Sequence, residues 1–422
     1  MPKSIIKQNE LTFRMILIGF SILTAILIYF LFFTKAKVSV EVVPTSAVVT
    51  LDNKPSAITN GSASFVTSLG KHTLRVEADN YIGYKQEVNL SRGRNFSKSI
   101  TLTKAPTPVK IAENAQYVAI SGDNVFYFNP TDKLFYLAKI HYITGGQAEV
   151  ASAQAITSKP LVSFDKIIWS PNCELVAIKR GTSVSVLDFK KYDFVHQNEI
   201  SFGNNIGDIA WSPDNSRLAY YYAPPSGEKS LIFSDANNQN ITRVVNFAEA
   251  GIENPFLAFS PSSEYLTIVP RNQNFDQNKI YLLNVYTRTI TPSNSAGNQK
   301  EALFSADSKK IIYSTYSDNQ QNPVRQILSV MDLNFSNSKS LGIAAKATDI
   351  RLWQNFDQIF LPVNSTRSKM MVVDLNTGQT SEFYFTGQSD SNISEVALNG
   401  QKNAAIFVSK SILYFVKLEG NG

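Results

Sequence analysis

Histidine and cysteine are scarce in this chain of 422 residues, which holds three of the first and one of the second. Cys173 has no second cysteine to pair with, which excludes an internal disulfide and any Cys-cluster zinc site. Its expected state is a passive thiol. His72, His141 and His196 lie far apart, and none sits in a metal-ligand or catalytic motif. Asp214 and Asp307 each follow a serine by two residues, in SPDNS and SADSK. Nucleophilic catalysis needs a base between the two, and no G-x-S-x-G elbow occurs. Aspartates in such turns bond nearby backbone N–H groups, and that is the role expected for both. Asn274 to Asn278 carries oxygen ligands at alternate positions but lacks the glycine and distant glutamate of a calcium loop. No catalytic residue, cofactor or metal is therefore expected. Any function must come from a surface, and the elements that would build one are legible.

The length suits two or three domains, or a repeat array with an appendage. Hydrophobic residues make up 43% and aromatics 11%, which excludes a disordered chain. Residues 15–33 read MILIGFSILTAILIYFLFF, an uncharged run between Arg14 and Lys35. As a helix it would reach about 28 Å, close to the thickness of a bilayer core. The run is longer than a signal-peptide core and lacks an A-x-A-like site. A transmembrane helix over 15–34 is expected, behind a cytoplasmic tail of 1–14. Lys3, Lys7 and Arg14 precede the run, and Lys35 and Lys37 follow it. That balance favours an N-terminus inside and C-terminal domains outside the cytoplasm.

The net charge of +6 is unevenly spread. The segment through Lys37 carries +4, residues 38–104 carry +3, and the remainder carries −1. The basic excess belongs beside lipid headgroups, and no nucleic-acid partner is expected.

From Val38 to Thr103 the pattern alternates with period two. Six short runs, VSVEVVP, AVVTLD, SASFVTSL, KHTLRVEA, QEVNLS and KSITLT, are separated by turn-forming clusters such as Asp52-Asn53-Lys54-Pro55 and Asn60-Gly61. They predict a small β-sandwich over 38–104. Pro44-Thr45-Ser46-Ala47, Asp52-Asn53-Lys54, Leu69-Gly70-Lys71-His72 and Asn80-Tyr81 together resemble the PEGA domain. That resemblance implies a spacer or adhesion module without catalytic residues, with His72 a structural residue beside a turn. Asn53 and Asn80 depart from the family's glycines mildly, since asparagine tolerates the left-handed conformation.

Lys104-Ala105-Pro106-Thr107-Pro108 is a stiff boundary. Beyond it a phrase recurs, clearest as IAWSPDNSRLAYYY from Ile209 to Tyr222. Its copies align Ile120, Trp169, Trp211, Phe259, Phe304, Trp353 and Leu398, at intervals of 42 to 49 residues. Four strands per repeat at that spacing predict a seven-bladed β-propeller over 105–422. The fold class is thus all-β, a propeller plus a sandwich, behind one membrane helix. In the Trp211 repeat the strands are expected at Asp208–Ser212, Leu218–Tyr222, Ser230–Asp235 and Thr242–Phe247. The last repeat lacks a fourth strand. Residues 108–113 are positioned to supply it, through contacts of Val109–Ala112 with Ile412–Phe415. The three tryptophans share one repeat position and are expected to pack on the next blade. The repeat resembles the TolB-like propeller, whose signature W-S-P-D-G-x-x-I/L-A-F is met best at Trp169, Trp211 and Phe259. That likeness implies a fold, and members include periplasmic partner-binding proteins and the propeller halves of peptidases.

In such a fold the B–C and D–A connections share one face. The longer B–C loops here, 223–229, 270–278, 316–325 and 363–368, carry Arg271, Phe275, Tyr316, Arg325 and Arg367. Exposed arginine and aromatic side chains on one face suit a protein or envelope-glycan partner. The competing expectation is a surface enzyme, a glycan lyase or hydrolase acting at the channel mouth, which would need carboxylates on the inner strands. Those strands are mostly apolar, with Asp208 and Glu395 as exceptions.

Overall fold

The structure is a computed structural model. It describes all residues except 1–12, 14, 25–34, 58, 80, 92–94, 103, 105–106, 143–147, 191–198, 248–250, 272–277, 295–297, 317–325, 353–357, 364–368, 379, 384–392, 400, 402–403 and 418–422. Two compact units result, divided near Ala105.

Ten residues of the apolar run, 15–24, are helical. Their side chains are exposed, and the hydroxyls of Ser21 and Thr24 donate to the carbonyls of Leu17 and Phe20 at 2.9 and 2.7 Å. Among the described residues no helix is long and apolar enough to cross a membrane. The expected span of 15–34 is therefore seen only in this first part, and 25–34 lie outside the described residues.

Among its described residues the small unit holds seven strands, one more than expected. They are β1 (Lys35–Val43), β2 (Val48–Leu51), β3 (Lys54–Ser56), β4 (Ser62–Ser68), β5 (Gly70–Glu77), β6 (Ile82–Leu90) and β7 (Phe96–Thr101). One sheet runs β4-β1-β7, and the other contains β3-β2-β5-β6. The extra strand β3 follows from turn chemistry. Asp52 and Asn53 take φ of 50° and 64°, the two left-handed residues of a two-residue hairpin, and pair Leu51 with Lys54. The period-two pattern sends Val38, Val40 and Val42 inward against Val49, Leu51, Leu74, Val76 and Val88. Each such valine or leucine contributes about 1.5–3 kcal/mol by leaving water.

Seven further groups of paired strands follow among the described residues, one per repeat. In chain order their first strands are Gln116–Ser121, Lys166–Trp169, Ile206–Trp211, Phe256–Phe259, Gln299–Phe304, Arg351–Leu352 and Ile393–Leu398. We call these the A strands of blades 1 to 7. In blade 3 the strands are Ile206–Trp211, Leu218–Tyr222, Ser230–Ser234 and Thr242–Asn246, each within two residues of its expected bounds. Blade 7 is completed from the other end of the unit. β8 (Val109–Glu113) pairs antiparallel with Ile412–Lys417, setting Ala112 opposite Leu413 and Lys110 opposite Tyr414. The last blade therefore has no unpaired third strand.

A single blade buries neither face, so the cores form between blades. Phe128 and Phe135 of blade 1 pack with Ile167 and Ile178 of blade 2. Val184 and Val186 of blade 2 meet Trp211 and Tyr220 of blade 3. The same holds between blades 3 and 4, 4 and 5, and 5 and 6. Ile120 and Tyr127 of blade 1 pack with Ile406 and Phe415 of blade 7, closing the ring.

Candidate functional site

Carboxylates on the inner strands were the feature that could have made an enzyme, and their hydrogen bonds decide how they are used. Glu395 of blade 7 accepts the N–H groups of Tyr117 and Val118 of blade 1, at 3.0 and 2.9 Å. Asp208 of blade 3 accepts the N–H of Leu257 of blade 4 at 3.0 Å. Glu301 of blade 5 accepts the N–H and hydroxyl of Thr348, in the short 3-10 turn before blade 6, at 3.1 and 2.9 Å. Each acid therefore ties its blade to the next. A β-bulge accompanies each, with register shifts between Ile206 and Ile209, Gln299 and Glu301, and Ile393 and Glu395. The extra residue breaks the in–out alternation and turns the acid sideways. At Gly207 the bulge also needs a bare backbone, since a Cβ there would lie 2.6 Å from the ring of Tyr221.

Blades 2, 4 and 6 use donors instead. Lys179 donates to the carbonyl of Ile206 at 2.8 Å, Thr267 to that of Ala302 at 2.8 Å, and Arg351 to that of Val396 at 2.7 Å. Arg351 also donates to the carbonyls of Thr348 and Ile350. Burial lowers its pKa, and the Asp349 and Glu395 carboxylates oppose that shift. The guanidinium stays charged. Glu301, Thr267 and Arg351 were not singled out from the sequence. A signal existed: Asp208, Glu301 and Glu395 each stand three residues before the aligned repeat position, at Trp211, Phe304 and Leu398.

The turn aspartates do what was expected. Ser212 donates to Asp214 at 2.5 Å, and Asp214 accepts the N–H of Ser216 at 3.0 Å. Ser305, Asp307 and Lys309 repeat the arrangement. Burial works upward on the Asp214 carboxyl, but the hydrogen bonds from Ser212 and Ser216 leave it below its ordinary value. The tryptophans differ from expectation in direction. The indole N–H of Trp169 donates to Tyr117 at 2.6 Å and that of Trp211 to Ile168 at 3.2 Å, so each reaches back to the preceding blade. Trp353 lies outside the described residues.

His72 is buried in the small unit. Its Nδ1 donates to Asp52 at 2.6 Å and its Nε2 to the carbonyl of Ser68 at 2.9 Å. The second Asp52 oxygen accepts the N–H of Thr73 at 2.8 Å. The hydrogen bond from His72, then that from Thr73, holds the Asp52 carboxyl below its usual range. Cys173 is buried, and burial pushes its thiol up to about 12. His141 lies exposed on a strand of blade 1, while His196 and Asn274 to Gln277 lie outside the described residues. No group of three or more His, Cys, Asp or Glu suited to a metal occurs among the described residues.

The expected interaction face is partly described. Arg271 opens a B–C connection, exposed, with its guanidinium 5.3 Å from the centre of the Phe256 ring. Its N–H donates to Glu253, in the D–A connection before blade 4, at 3.2 Å. Glu253 also accepts from Lys229, on the B–C connection of blade 3, at 2.5 Å. These contacts bring B–C and D–A connections together on one face. Tyr316 ends the second strand of blade 5, opposite Gln326. Phe275, Arg325 and Arg367 lie outside the described residues, as does the side chain of Tyr316.

Comparison with protein families matches the PEGA domain at residues 35–106. These residues are a PEGA domain. The match covers the two-sheet sandwich and the Asp52-Asn53 hairpin described above. Among solved structures, oligogalacturonate lyase in complex with manganese is similar at 12% identity, with 73% of this chain and 90% of that chain covered and a TM-score of 0.50. TolB from Acinetobacter baumannii is similar at 13% identity, with 77% and 78% covered and a TM-score of 0.41. A putative TolB from Agrobacterium tumefaciens is similar at 12% identity, with 64% and 94% covered and a TM-score of 0.40. At such identities the likeness is one of fold, and the region beyond the PEGA domain is a β-propeller. No curated protein sequence matches the chain.

Proposed function

We propose that this chain is a membrane-anchored binding protein of the cell surface. Residues 15–34 hold it in the bilayer with residues 1–14 in the cytoplasm. The PEGA domain and the propeller lie outside, and the propeller's B–C face takes a protein or envelope-glycan partner. The observation that carries the anchor is the helix at 15–24. Its apolar side chains, Ile16, Phe20 and Leu23 among them, are all exposed. Its two hydroxyls are bonded within the helix, which is what a lipid environment requires of polar groups. The binding role is favoured over catalysis because the carboxylates of the inner strands already hold backbone N–H groups.

The test is fractionation of cells expressing the full chain. It should stay in the membrane pellet through alkaline carbonate, and protease added outside intact cells should digest the propeller. Release by carbonate, or full protection from protease, would overturn the proposal. Chemical cross-linking on intact cells should then trap a discrete partner that the Arg271→Glu variant traps less well.

A further inference from the structure

The outer face of the sheet β4-β1-β7 has its charges sorted along the strands. The outward positions of β1 are Lys35, Lys37, Ser39, Glu41 and Val43, and those of β4 and β7 hold serine, threonine and one valine. Among the described residues the charged groups of this face are therefore two lysines at one end and Glu41 at the other. Glu41 stands four residues past Lys37, about 13 Å along the strand. We infer that the lysine end of this face docks on anionic lipid headgroups, with Val66 at the headgroup boundary. The inference rests on the membrane anchor proposed above and adds which surface of the PEGA domain meets the bilayer.

Position is the first reason. The apolar run ends at Phe33, and β1 begins at Lys35, two residues further on. Two extended residues span about 7 Å at most. The polar layer on each side of a bilayer is about 5–8 Å deep. With no linker between the run and the strand, an anchored chain holds Lys35 at headgroup level and starts the sheet there.

The second reason is charge. Both lysines are exposed, and their neighbours across the ladder are Ser68 and Val66. On the other side β7 joins the ladder only at Phe96, opposite Val38. Lys54 and Lys71 stand at the same end on the other sheet, but each has an acid beside it. Lys54 acts on the Asp52 carboxylate, and Lys71 lies 3.9 Å from Glu87. The excess positive charge at this end is thus that of Lys35 and Lys37, and lipid phosphates are the anions within their reach. The third reason is Val66, 68% exposed on a face otherwise made of hydroxyls and charges. It lies directly opposite Lys37, so the two side chains stand side by side. A lysine stem beside an apolar residue, with its ammonium beyond, suits the edge of a membrane.

The test places a reporter at Val66. The full chain carrying Val66→Cys and Cys173→Ala takes a single environment-sensitive nitrobenzoxadiazole label. It is reconstituted into nanodiscs of phosphatidylcholine alone or with one-third phosphatidylglycerol. Label emission should shift to the blue in the anionic discs. The shift should be lost in 1 M sodium chloride, where the screening length is about 3 Å. Lys35→Gln with Lys37→Gln should abolish it, since each lysine near an anionic surface strengthens the contact about fivefold. Lys85→Gln with Lys104→Gln removes the same charge from exposed positions elsewhere in the domain and should leave the shift in place. No lipid-dependent shift in discs that hold the chain, a shift that survives salt, or equal loss in both double variants would overturn the docking and leave the anchor standing. A chain that elutes apart from the discs would overturn the anchor, and the docking with it.

Discussion

Glu395 reaches across 278 residues of sequence to hold the backbone of Tyr117, its carboxylate spanning the N–H groups of Tyr117 and Val118. Tyr117 stands at φ 50°, and its strand carries a bulge, so two successive N–H groups turn toward one acid. This bond joins the last blade to the first, beside the short chain link from β8 into blade 1.

Replacing Glu395 by Gln leaves one of those N–H groups facing an amide donor. The expected cost is about 2–3 kcal/mol, the penalty for a lost charged hydrogen bond with an orphaned donor. All three tryptophans lie in the propeller repeats, so tryptophan fluorescence during urea unfolding reads this region alone. Glu113→Gln, at an exposed pair with Lys110, should change little by comparison. Equal midpoints for the two variants would contradict the closing role of Glu395.

Much of the fold was legible because its signals are local. The Ser-Pro-Asp turn forms its own hydrogen bonds within five residues, so it leaves a mark in every repeat that carries it. Strand bounds in blade 3 followed from that turn and the apolar runs on either side. The inter-blade ties were not legible in the same way. The position three before the repeat residue holds Tyr117, Lys166, Asp208, Phe256, Glu301, Ile350 and Glu395. Three acids among seven such residues are a weak signal, and the bulge that aims each acid depends on the partner strand. Asp208 and Glu395 stood out only as acids among apolar residues, and their partners lie 49 and 278 positions away.

Gly207→Ala tests the bulge beside Asp208. The added methyl would lie 2.6 Å from Tyr221 Cδ1 and 3.4 Å from Asn254 Oδ1. Overpacking of this kind costs about 1–3 kcal/mol. Pairing it with Tyr221→Leu should recover part of the loss, because the two residues share one contact and their effects are not additive. Strict additivity in a double-mutant cycle would show that the glycine is needed for another reason.

The Asp52–His72 contact sets an acid limit on the PEGA domain. The Asp52 carboxyl is held below its ordinary value of 3.8, first by the hydrogen bond from His72. A depressed carboxylate stabilises the fold fully above its unfolded value, and that contribution is lost as pH falls through the folded value. Hydrogen-exchange protection of residues 48–77 should therefore decline below about pH 4 in the parent. The Asp52→Asn variant should be less protected at neutral pH and should converge with the parent in acid. A constant gap between them down to pH 2 would remove Asp52 as the cause.

Cys173 should be inert in the folded chain. Burial pushes its thiol up to about 12, so almost no thiolate exists at neutral pH. Iodoacetamide at pH 8 is expected to leave the native protein unlabelled and to modify it fully in urea. Rapid labelling without denaturant would show that the site opens.

That inertness allows a direct test of ring closure. Lys110 of β8 and Tyr414 stand opposite each other in an antiparallel ladder, and neither is fully buried. Directly opposed residues bring their Cα atoms to about 4.5–5.5 Å, within reach of a disulfide. The variant with both Lys110→Cys and Tyr414→Cys should oxidise to one intramolecular disulfide, with Cys173 left reduced. The bond would lock the first strand of the propeller region to its last blade and close a loop of nearly the whole repeat array. Chain-entropy reasoning gives a gain of about 5–6 kcal/mol for a loop of that size, less any strain. The urea midpoint by tryptophan fluorescence should rise on oxidation and return on reduction. Failure of the pair to oxidise, or its formation only between molecules, would show that β8 does not complete blade 7.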